Sequence, residues 1–253
     1  MDTSPTNANL STAHHVLILG CGRSGTSIFG ELFDHLSGYT YHSEPPYESL
    51  AAFDWTTPQA IKVPRVSVEK RPDPGLPFPL EDLLKRIPEP RTFFWQVRHP
   101  LDTICSLKVG IAQNWGHHPR PEDWEAWQEK PLLQRCAHHW NYINTVGYHQ
   151  VAHLVNICRF EDMLTDPLSF AIDICSQVEV DQVAKRIPFG TWADRVQDTN
   201  NEKFIEAQTS RAYSRPDHRV KIGRWKENLH KHEVEEVLPL VRGTAQMFGY
   251  ALP

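Results

Sequence analysis

The 253-residue sequence lacks several features that would assign it to a common protein class. No apolar run approaches the roughly 20 residues that a membrane-spanning helix needs. Basic residues are in the minority, 26 against 31 acidic ones, so no overall positive charge favours nucleic acid or an anionic membrane surface. We therefore expect no transmembrane segment and no nucleic-acid partner, although a local basic pocket for a small anion is compatible with this balance.

Cysteine motifs and metal-binding spacings are also lacking. The five cysteines show no CxxC spacing, and their odd number does not suit a disulfide framework. Three His-His pairs, at 14–15, 117–118 and 138–139, occur without HxxxH or HExxH spacing, and adjacent side chains point in different directions. These patterns predict reduced, packed thiols, no metal site and a cytoplasmic location.

The beginning of the chain lacks the basic and apolar segments of a signal peptide. Residues 1–13 are polar and predict a disordered tail. The length of the remainder, residues 14–253, suits one α/β-sized unit with a single core.

Apolar periodicity in that unit predicts alternating strands and helices. Strands are expected at 15–19, 39–42, 93–97 and 154–158, and helices at 27–37, from Pro100, at 132–150, from Pro167 and before Gly249. Residues 112–131, with three tryptophans and three prolines, predict a partly ordered lid, and 188–218 predict an irregular covering segment. The alternation favours a single-domain, three-layer α/β/α fold with a central parallel sheet, like that of P-loop NTPases.

The most informative absence is a single lysine. GCGRSGTS, residues 20–27, joins an apolar strand to an amphipathic helix, as a phosphate-binding loop does. Its glycines match the GxxxxGK[ST] pattern of nucleoside-triphosphate loops, but Thr26 stands in place of the lysine and the basic residue is Arg23. The pattern predicts an anion that needs less cation than a triphosphate.

Arginines follow three of the predicted strands. Arg23, Arg98 and Arg159 are each expected at the carboxyl edge of the sheet, where ligands bind in such folds. Asp102 and Ser106 share a helix face beyond Arg98, so a guanidinium, a hydroxyl and a helix N-terminus can grip one phosphate. Any one of these arginines can equally be a solvated strand end.

A second basic concentration surrounds Gly223 and is either a solvated surface or part of a site for more than one anionic group. Its members are Arg215, His218, Arg219, Lys221, Arg224 and Lys226.

These segments together resemble the sulfotransferases that use 3′-phosphoadenosine 5′-phosphosulfate (PAPS), and more closely their bacterial and protein-tyrosine or carbohydrate branches than the cytosolic phenol branch. GCGRSGTS resembles the family's 5′-phosphosulfate loop. RHPLDTICS resembles the 3′-phosphate motif, with an arginine and a serine eight residues apart. RFEDMLTDP resembles the YEDL-type segment, and IGRWKENL resembles the GxWK stretch that closes over the cofactor.

The resemblance implies PAPS as cofactor, 3′-phosphoadenosine 5′-phosphate (PAP) as product, and no metal. It places the 5′-phosphosulfate on the loop and the 3′-phosphate on Arg98 and Ser106. Phe160, where the family has tyrosine, either packs beside adenine or belongs to the core. The family's RKG triplet falls on 218–220, so Arg219 or Lys221, with Gly223, is expected to complete the clamp. The loop residues implied are Arg23, Ser24, Gly25, Thr26 and Ser27.

The proton acceptor implied by the resemblance is Glu44, in the sequence HSEPP. In the protein-tyrosine branch a glutamate occupies the same place after the second strand; the alternative is a carboxylate that caps a turn. Lys62 either touches the sulfonate or leaving oxygen or is a surface lysine. His42 and His139 are further candidates for the base.

The sequence thus predicts a sulfotransferase that moves a sulfuryl group from PAPS to a hydroxyl of a carbohydrate, lipid, small metabolite or tyrosine, with a small molecule or glycan as acceptor. A kinase-like P-loop phosphotransferase is disfavoured by Thr26 and by the absence of an aspartate closing an apolar strand. A non-catalytic nucleotide-binding member of the same fold is the other alternative.

Overall fold

The computed structural model describes residues 13–63, 66–67, 78–79, 84–180, 186–197 and 222–253. Apart from Ala13, the predicted tail lies outside these ranges. So do Arg219, Lys221 and residues 198–218, which form the larger part of the segment 188–218 that the sequence predicts to be irregular.

A five-stranded parallel sheet forms the centre of the molecule, which confirms the predicted fold class. Its strand order is β2-β3-β1-β6-β7. The strands are β1 (His15–Gly20), β2 (Thr40–Ser43), β3 (Gln59–Lys62), β6 (Arg91–Val97) and β7 (Val155–Arg159). Two short strands, β4 (Val66–Ser67) and β5 (Phe78–Pro79), form a separate parallel pair.

Strand β3 corrects the predicted set of four strands. Its sequence, QAIK, has only four residues and polar ends, so it gives no strand pattern of its own. It pairs with both β1 and β2, and in this register Lys62 lies opposite Ile18 of β1 and Ser43 of β2. Lys62 therefore ends a strand beside the one that leads into the phosphate-binding loop.

Helices lie on both faces of this sheet. In chain order they are α1 (Thr26–Asp34), α2 (Pro100–Ala112), α3 (Trp124–Trp127), α4 (Leu132–Tyr142), α5 (Tyr148–Val151), α6 (Phe160–Thr165), α7 (Pro167–Gln177), α8 (Arg186–Gln197), α9 (Trp225–Asn228) and α10 (Lys231–Met247). A 3₁₀ helix spans Tyr47–Ala52, and the π-helical turn Ile143–Gly147 interrupts the helix predicted at 132–150.

Alternating side chains of β1 divide the core into two layers. Leu17 and Leu19 face α2, α4 and α10, whereas Val16 and Ile18 face α1 and α6 to α8. All six residues of β1 are buried, as expected for a central parallel strand covered on both sides. Together these layers give the predicted α/β/α arrangement.

Helix α8 corrects part of the segment predicted to be irregular. Pro188, Gly190 and several polar residues weaken its helical pattern, but Phe189, Trp192 and Val196 recur at helical spacing and are buried against α1 and α7. The Trp192 Nε1 group donates to the Ile28 carbonyl at 2.9 Å. Tertiary packing thus stabilises a helix that its local sequence does not favour.

The cysteines lie in the core of the molecule. All five cysteines are buried free thiols, which confirms the prediction of packed thiols. In the part of the chain that the structure describes, no helix is both long and apolar enough to cross a membrane. The same residues contain no cluster of three or more histidine, cysteine or acidic groups suited to a metal ion.

The topology singles out one crevice. Within the sheet, the chain runs from β1 to β2 and β3 on one side of β1 and then to β6 and β7 on its other side. The carboxyl ends of β1 and β6 flank this change of direction, where parallel α/β sheets bind their ligands. The loop at residues 20–27 and the motif beginning at Arg98 follow these two strands.

Candidate nucleotide-binding site

The loop between β1 and α1 is shaped by close packing at two glycines. A Cβ on Gly20 would lie 2.3 Å from the Gln96 carbonyl oxygen of β6, so only glycine lets the two strand ends approach. Gly25 has a φ of 89°, and a Cβ there would lie 2.3 Å from the Phe160 ring. The glycine spacing predicted from the motif therefore permits close packing against the end of β6 and against the residue that follows β7.

Polar groups of this loop are available to an anion. Helix α1 has Gly25 as its N-cap, without a side-chain cap, so the N–H groups of its first turn remain for a ligand. The Ser24 hydroxyl is fully buried and has no hydrogen-bond partner among the described residues. Buried hydroxyls normally have a partner, so its orphaned state fits a group that a phosphate oxygen completes.

Arg23 joins the loop to helix α2. Its φ of 70° projects the side chain across the crevice, where Nε donates to Ser106 Oγ at 3.0 Å. The Arg98 guanidinium donates to the Arg23 carbonyl oxygen at 3.3 Å. The structure thus brings together Arg23, Arg98 and Ser106, which the two sequence motifs had indicated separately.

Phe160 lies beneath Arg98. The guanidinium carbon of Arg98 is 4.3 Å from the centre of the Phe160 ring, a cation–π distance. The ring is 1% exposed and also contacts Gly25. Of its two predicted roles, the structure favours the core role, because little ring surface remains for an adenine.

A further arginine, Arg224, belongs to this group of cations. It is buried, and the charges of Arg98, Arg23 and Asp102 act on it. Burial is the main cause that lowers the pKa of Arg224 to about 10, with contributions from the two arginines. Burial and the charge of Arg98 also lower the pKa of Arg23, although its side chain remains partly open to solvent. Like charges held this close favour binding of an anion.

Asp102 fixes the segment that carries Arg224. It is 1% exposed, and its two carboxylate oxygens accept the backbone N–H groups of Gly223 and Trp225, each at 2.8 Å. Sequence reasoning did not select Asp102 or Arg224 as site residues. The available signal was the shared helix face of Asp102 and Ser106; the partners of Asp102 lie more than a hundred residues away in the chain.

Glu44 and Lys62 form an ion pair at the ends of β2 and β3. Lys62 is buried and its ammonium group donates to Glu44 Oε1. The Glu44 N–H donates to the Lys62 carbonyl at 2.9 Å, and Glu44 has a φ of 51°. Both residues lie at the same carboxyl edge of the sheet as the loop.

Arg159 ends β7 at this edge but makes different contacts. Its guanidinium carbon is 4.4 Å from the Tyr250 ring centre. The Tyr250 hydroxyl donates to Glu161 Oε2 at 2.7 Å, and Glu161 Oε1 accepts the His99 backbone N–H at 2.9 Å. These residues line a cleft of about 470 Å³ together with Trp225. Arg159 thus lines this cleft with Tyr250, whereas Arg224 is the residue on which the charges of Arg23 and Arg98 act.

The predicted lid packs on the loop and on α2. Trp115 is fully buried, and its Nε1 donates to His139 Nδ1 at 3.3 Å. The His117 ring packs against Gly22 and Gly110. A Cβ added at Gly22 would lie 3.3 Å from His117 Nδ1, and a Cβ added at Gly110 would lie 2.3 Å from His117 Nε2. The lid therefore contacts the residue next to Arg23.

The two histidines considered as bases are engaged elsewhere. His42 stacks on Phe53 at 3.9 Å between ring centres, and its Nε2 lies 2.8 Å from Gln59 Oε1. His139 is buried under the lid, and burial holds its pKa well below the ordinary value. Glu44 is the better placed candidate.

Comparison with known proteins identifies the fold. No model of a protein family matches the sequence, and a search of curated proteins finds no significant match. Among solved structures, the chain is similar to the mouse sulfotransferase SULT7A1 in complex with PAP, at 17% identity and a TM-score of 0.57, covering 92% of this chain and 84% of that one. It is also similar to a retinol dehydratase in complex with androsterone and the inactive cofactor PAP, at 12% identity and a TM-score of 0.50, covering 94% and 82%. The chain thus has the fold of these PAP-bound proteins, as its motifs predicted.

Proposed function

We propose that this protein is a sulfotransferase that moves a sulfuryl group from PAPS to an acceptor hydroxyl. The observation that carries the proposal is the contact of the Arg23 loop with Arg98 and Ser106 in the crevice between β1 and β6. Two phosphate-binding motifs that are distant in sequence form one cationic site there. The fold shared with PAP-bound proteins supports the same assignment.

The loop residues hold the 5′ end of the nucleotide. N–H groups at the uncapped start of α1 and the buried Ser24 hydroxyl bind the 5′-phosphate, with Thr26 and Ser27 in the first helical turn. A triphosphate needs lysine and magnesium to neutralise its terminal phosphates, whereas a phosphosulfate carries less charge. One arginine at position 23 suffices for the oxygen that becomes negative as its bond to sulfur breaks.

The ribose 3′-phosphate lies against Arg98 and Ser106 in this proposal. Gly223 belongs to the segment that Asp102 holds beside them. Either Arg219 or Lys221, which precede this segment, remains a proposed ligand of the same phosphate. A 3′-phosphate is the group that distinguishes this nucleotide from ATP.

Glu44 acts as the general base, and Lys62 orients its carboxylate. The acceptor oxygen attacks sulfur while Glu44 takes the hydroxyl proton, and the bond between sulfur and the 5′-phosphate oxygen breaks. This oxygen leaves with the electron pair, and Arg23 stabilises its charge. Atoms and charge balance without a metal or a redox partner.

The acceptor is a small molecule or a glycan that enters beneath the lid at 112–131. Aromatic rings of Trp124 and Trp127 in this segment are half-buried and suit a sugar or an apolar acceptor. We place the reaction in the cytoplasm, where thiols such as the five free cysteines stay reduced.

Calorimetry tests the binding half of the proposal. The native protein should bind PAP at least tenfold more tightly than adenosine 5′-monophosphate, because only PAP carries the 3′-phosphate. Arg98→Ala should remove about tenfold or more of the PAP affinity, the usual effect of losing one charge-assisted hydrogen bond.

The control variant is Arg242→Ala, which removes an exposed arginine of α10. It should bind PAP as the native protein does. Equal affinity of the native protein for the two nucleotides would contradict the proposal. Transfer of label from ³⁵S-PAPS into a product from an extract then tests catalysis, and binding without transfer would indicate a non-catalytic nucleotide-binding protein.

A further inference from the structure

The carboxylate of Asp102 is placed to fix the backbone on either side of Arg224. Asp102 lies in the first turn of α2, one helical turn before Ser106. Its two oxygens accept the N–H groups of Gly223 and Trp225 at 2.8 Å, which are the residues on either side of Arg224. The backbone direction at position 224 is thereby fixed from both sides.

Three arginines lie near the N-terminal half of α2. The Arg98 guanidinium contacts the Arg23 carbonyl, and Arg23 in turn donates to Ser106. Arg224 is buried near both arginines, and their charges act on it. Asp102 directs both oxygens to backbone N–H groups, and the three guanidinium groups near it suit a ligand with several negative charges.

We propose that Arg224 is a binding residue for the 3′-phosphate of the nucleotide and that Asp102 is the residue that positions it. This inference rests on the proposed function and adds Arg224 to the phosphate ligands, beside the Arg219 or Lys221 that the resemblance implies. Asp102 contributes to nucleotide selectivity without touching the nucleotide. A planar guanidinium at 224 can bind two phosphate oxygens at once, which suits discrimination between one and two phosphate groups.

Affinities for PAP and adenosine 5′-monophosphate, measured by calorimetry on single and double variants of the full chain, test this inference. Arg224→Ala should lower PAP affinity about tenfold or more and change the affinity for the monophosphate by less than threefold. Asp102→Asn keeps the side-chain shape but replaces one acceptor oxygen by an NH2 group. It should therefore also lower the affinity for PAP and leave that for the monophosphate nearly unchanged. Arg224→Lys keeps the charge but loses the paired N–H donors, so it should retain only part of the preference for PAP.

The double variant separates positioning from a general structural role. If Asp102 acts through Arg224, then Asp102→Asn added to Arg224→Ala should cause no further loss of PAP affinity. Lys231→Ala, which removes an exposed lysine at the start of α10, is the control for loss of one positive charge.

Three results would overturn the inference. Arg224→Ala with native PAP affinity removes Arg224 from the site, and this arm decides the question even if Asp102→Asn fails to fold. Additive losses in the double variant would show that Asp102 acts by another route. A native protein without preference for PAP would overturn the inference together with the proposed function, whereas failure of the variants alone leaves the proposed function intact.

Discussion

Arg23 and Glu44 both adopt positive φ angles, which side chains other than glycine rarely do. Such conformations cost on the order of 1–3 kcal/mol each and concentrate at functional sites. Each of the two residues lies just beyond the carboxyl end of a strand, so the turn projects its side chain over the same edge of the sheet. Two of the five described non-glycine residues with positive φ thus have chemical roles in the proposed transfer; the other three are Asn114, Trp115 and Glu179.

Substitution of Glu44 tests that role at the scale of one residue. Glu44→Gln should lower turnover by about 10²-fold or more, because the amide cannot take the acceptor proton. PAP affinity by calorimetry should remain nearly native, since Glu44 does not contribute to nucleotide binding in this scheme.

Glu48→Gln is the matched control, because Glu48 is an exposed carboxylate in the 3₁₀ helix that follows. Its turnover should be native. A native turnover number for Glu44→Gln would remove Glu44 from the mechanism.

Site residues could be predicted where a short sequence motif contains them. Arg23, Arg98 and Ser106 belong to short motifs, and the structure brings them into contact. Asp102 and Arg224 lack such a signal, because the link between residues 102 and 223 spans 121 positions. Contacts of that range follow from the packing of α2 against α9 and not from any spacing in the sequence.

At the scale of elements, α2 connects three parts of the site through one face. Asp102, Ser106 and Gly110 are spaced four residues apart along this face. They contact the Gly223–Trp225 segment, Arg23 and the lid residue His117, respectively. The helix thus aligns the lid with the nucleotide loop.

Gly110→Ala should displace the lid from this face. A Cβ at position 110 would lie 2.3 Å from His117 Nε2, so the ring must move. We expect chymotrypsin to cleave the segment 112–131, which contains the half-buried Trp124 and Trp127, several-fold faster than in the native protein, because the segment opens more often.

Gly243→Ala provides the control in another helix. No atom lies within 4 Å of a Cβ there, so this substitution should stabilise α10 by roughly 0.5–1 kcal/mol without affecting the lid. Equal cleavage of the native protein and both variants would show that the packing of His117 against Gly110 does not hold the lid in place.

The elements themselves were predictable in proportion to their apolar periodicity. Strands β1 and β6 carry long apolar runs and lie where the sequence predicts them. Strand β3 has four residues, and α8 contains Pro188 and Gly190, so in both cases pairing or packing with distant residues overrides a weak local pattern. The π-helical turn at 143–147 likewise has no recognisable pattern in the sequence.

At the scale of the whole molecule, buried histidines should make stability depend on pH. Burial lowers the pKa of His14, His15, His99 and His139 in the folded protein, and for His139 the nearby His117, His118 and His138 lower it further. Below the unfolded value of about 6.5, the unfolded chain therefore binds more protons than the folded one. The free energy of unfolding should fall as pH decreases from about 6.5 toward the folded pKa values.

Thermal unfolding at pH 7.5 and 5.5 measures this effect. Tm should be lower at pH 5.5, with about 1 kcal/mol corresponding to roughly 2–4 °C in a domain of this size. His139→Gln, which cannot gain a proton in this range, should show a smaller decrease than the native protein. The same decrease in both proteins would exclude His139 as a cause, and the exposed His232→Gln controls for the substitution itself.

The hydrogen bond from Tyr250 to Glu161 has a practical consequence for anyone who produces this protein. Glu161 also holds the backbone at His99, directly beside Arg98, and the Tyr250 ring packs on the His99 ring, so residues at the end of the chain support the ligand crevice. An affinity tag fused after Pro253, or a truncation before Tyr250, would act on nucleotide binding from outside the crevice. Purification handles are therefore better attached at the opposite end of the polypeptide.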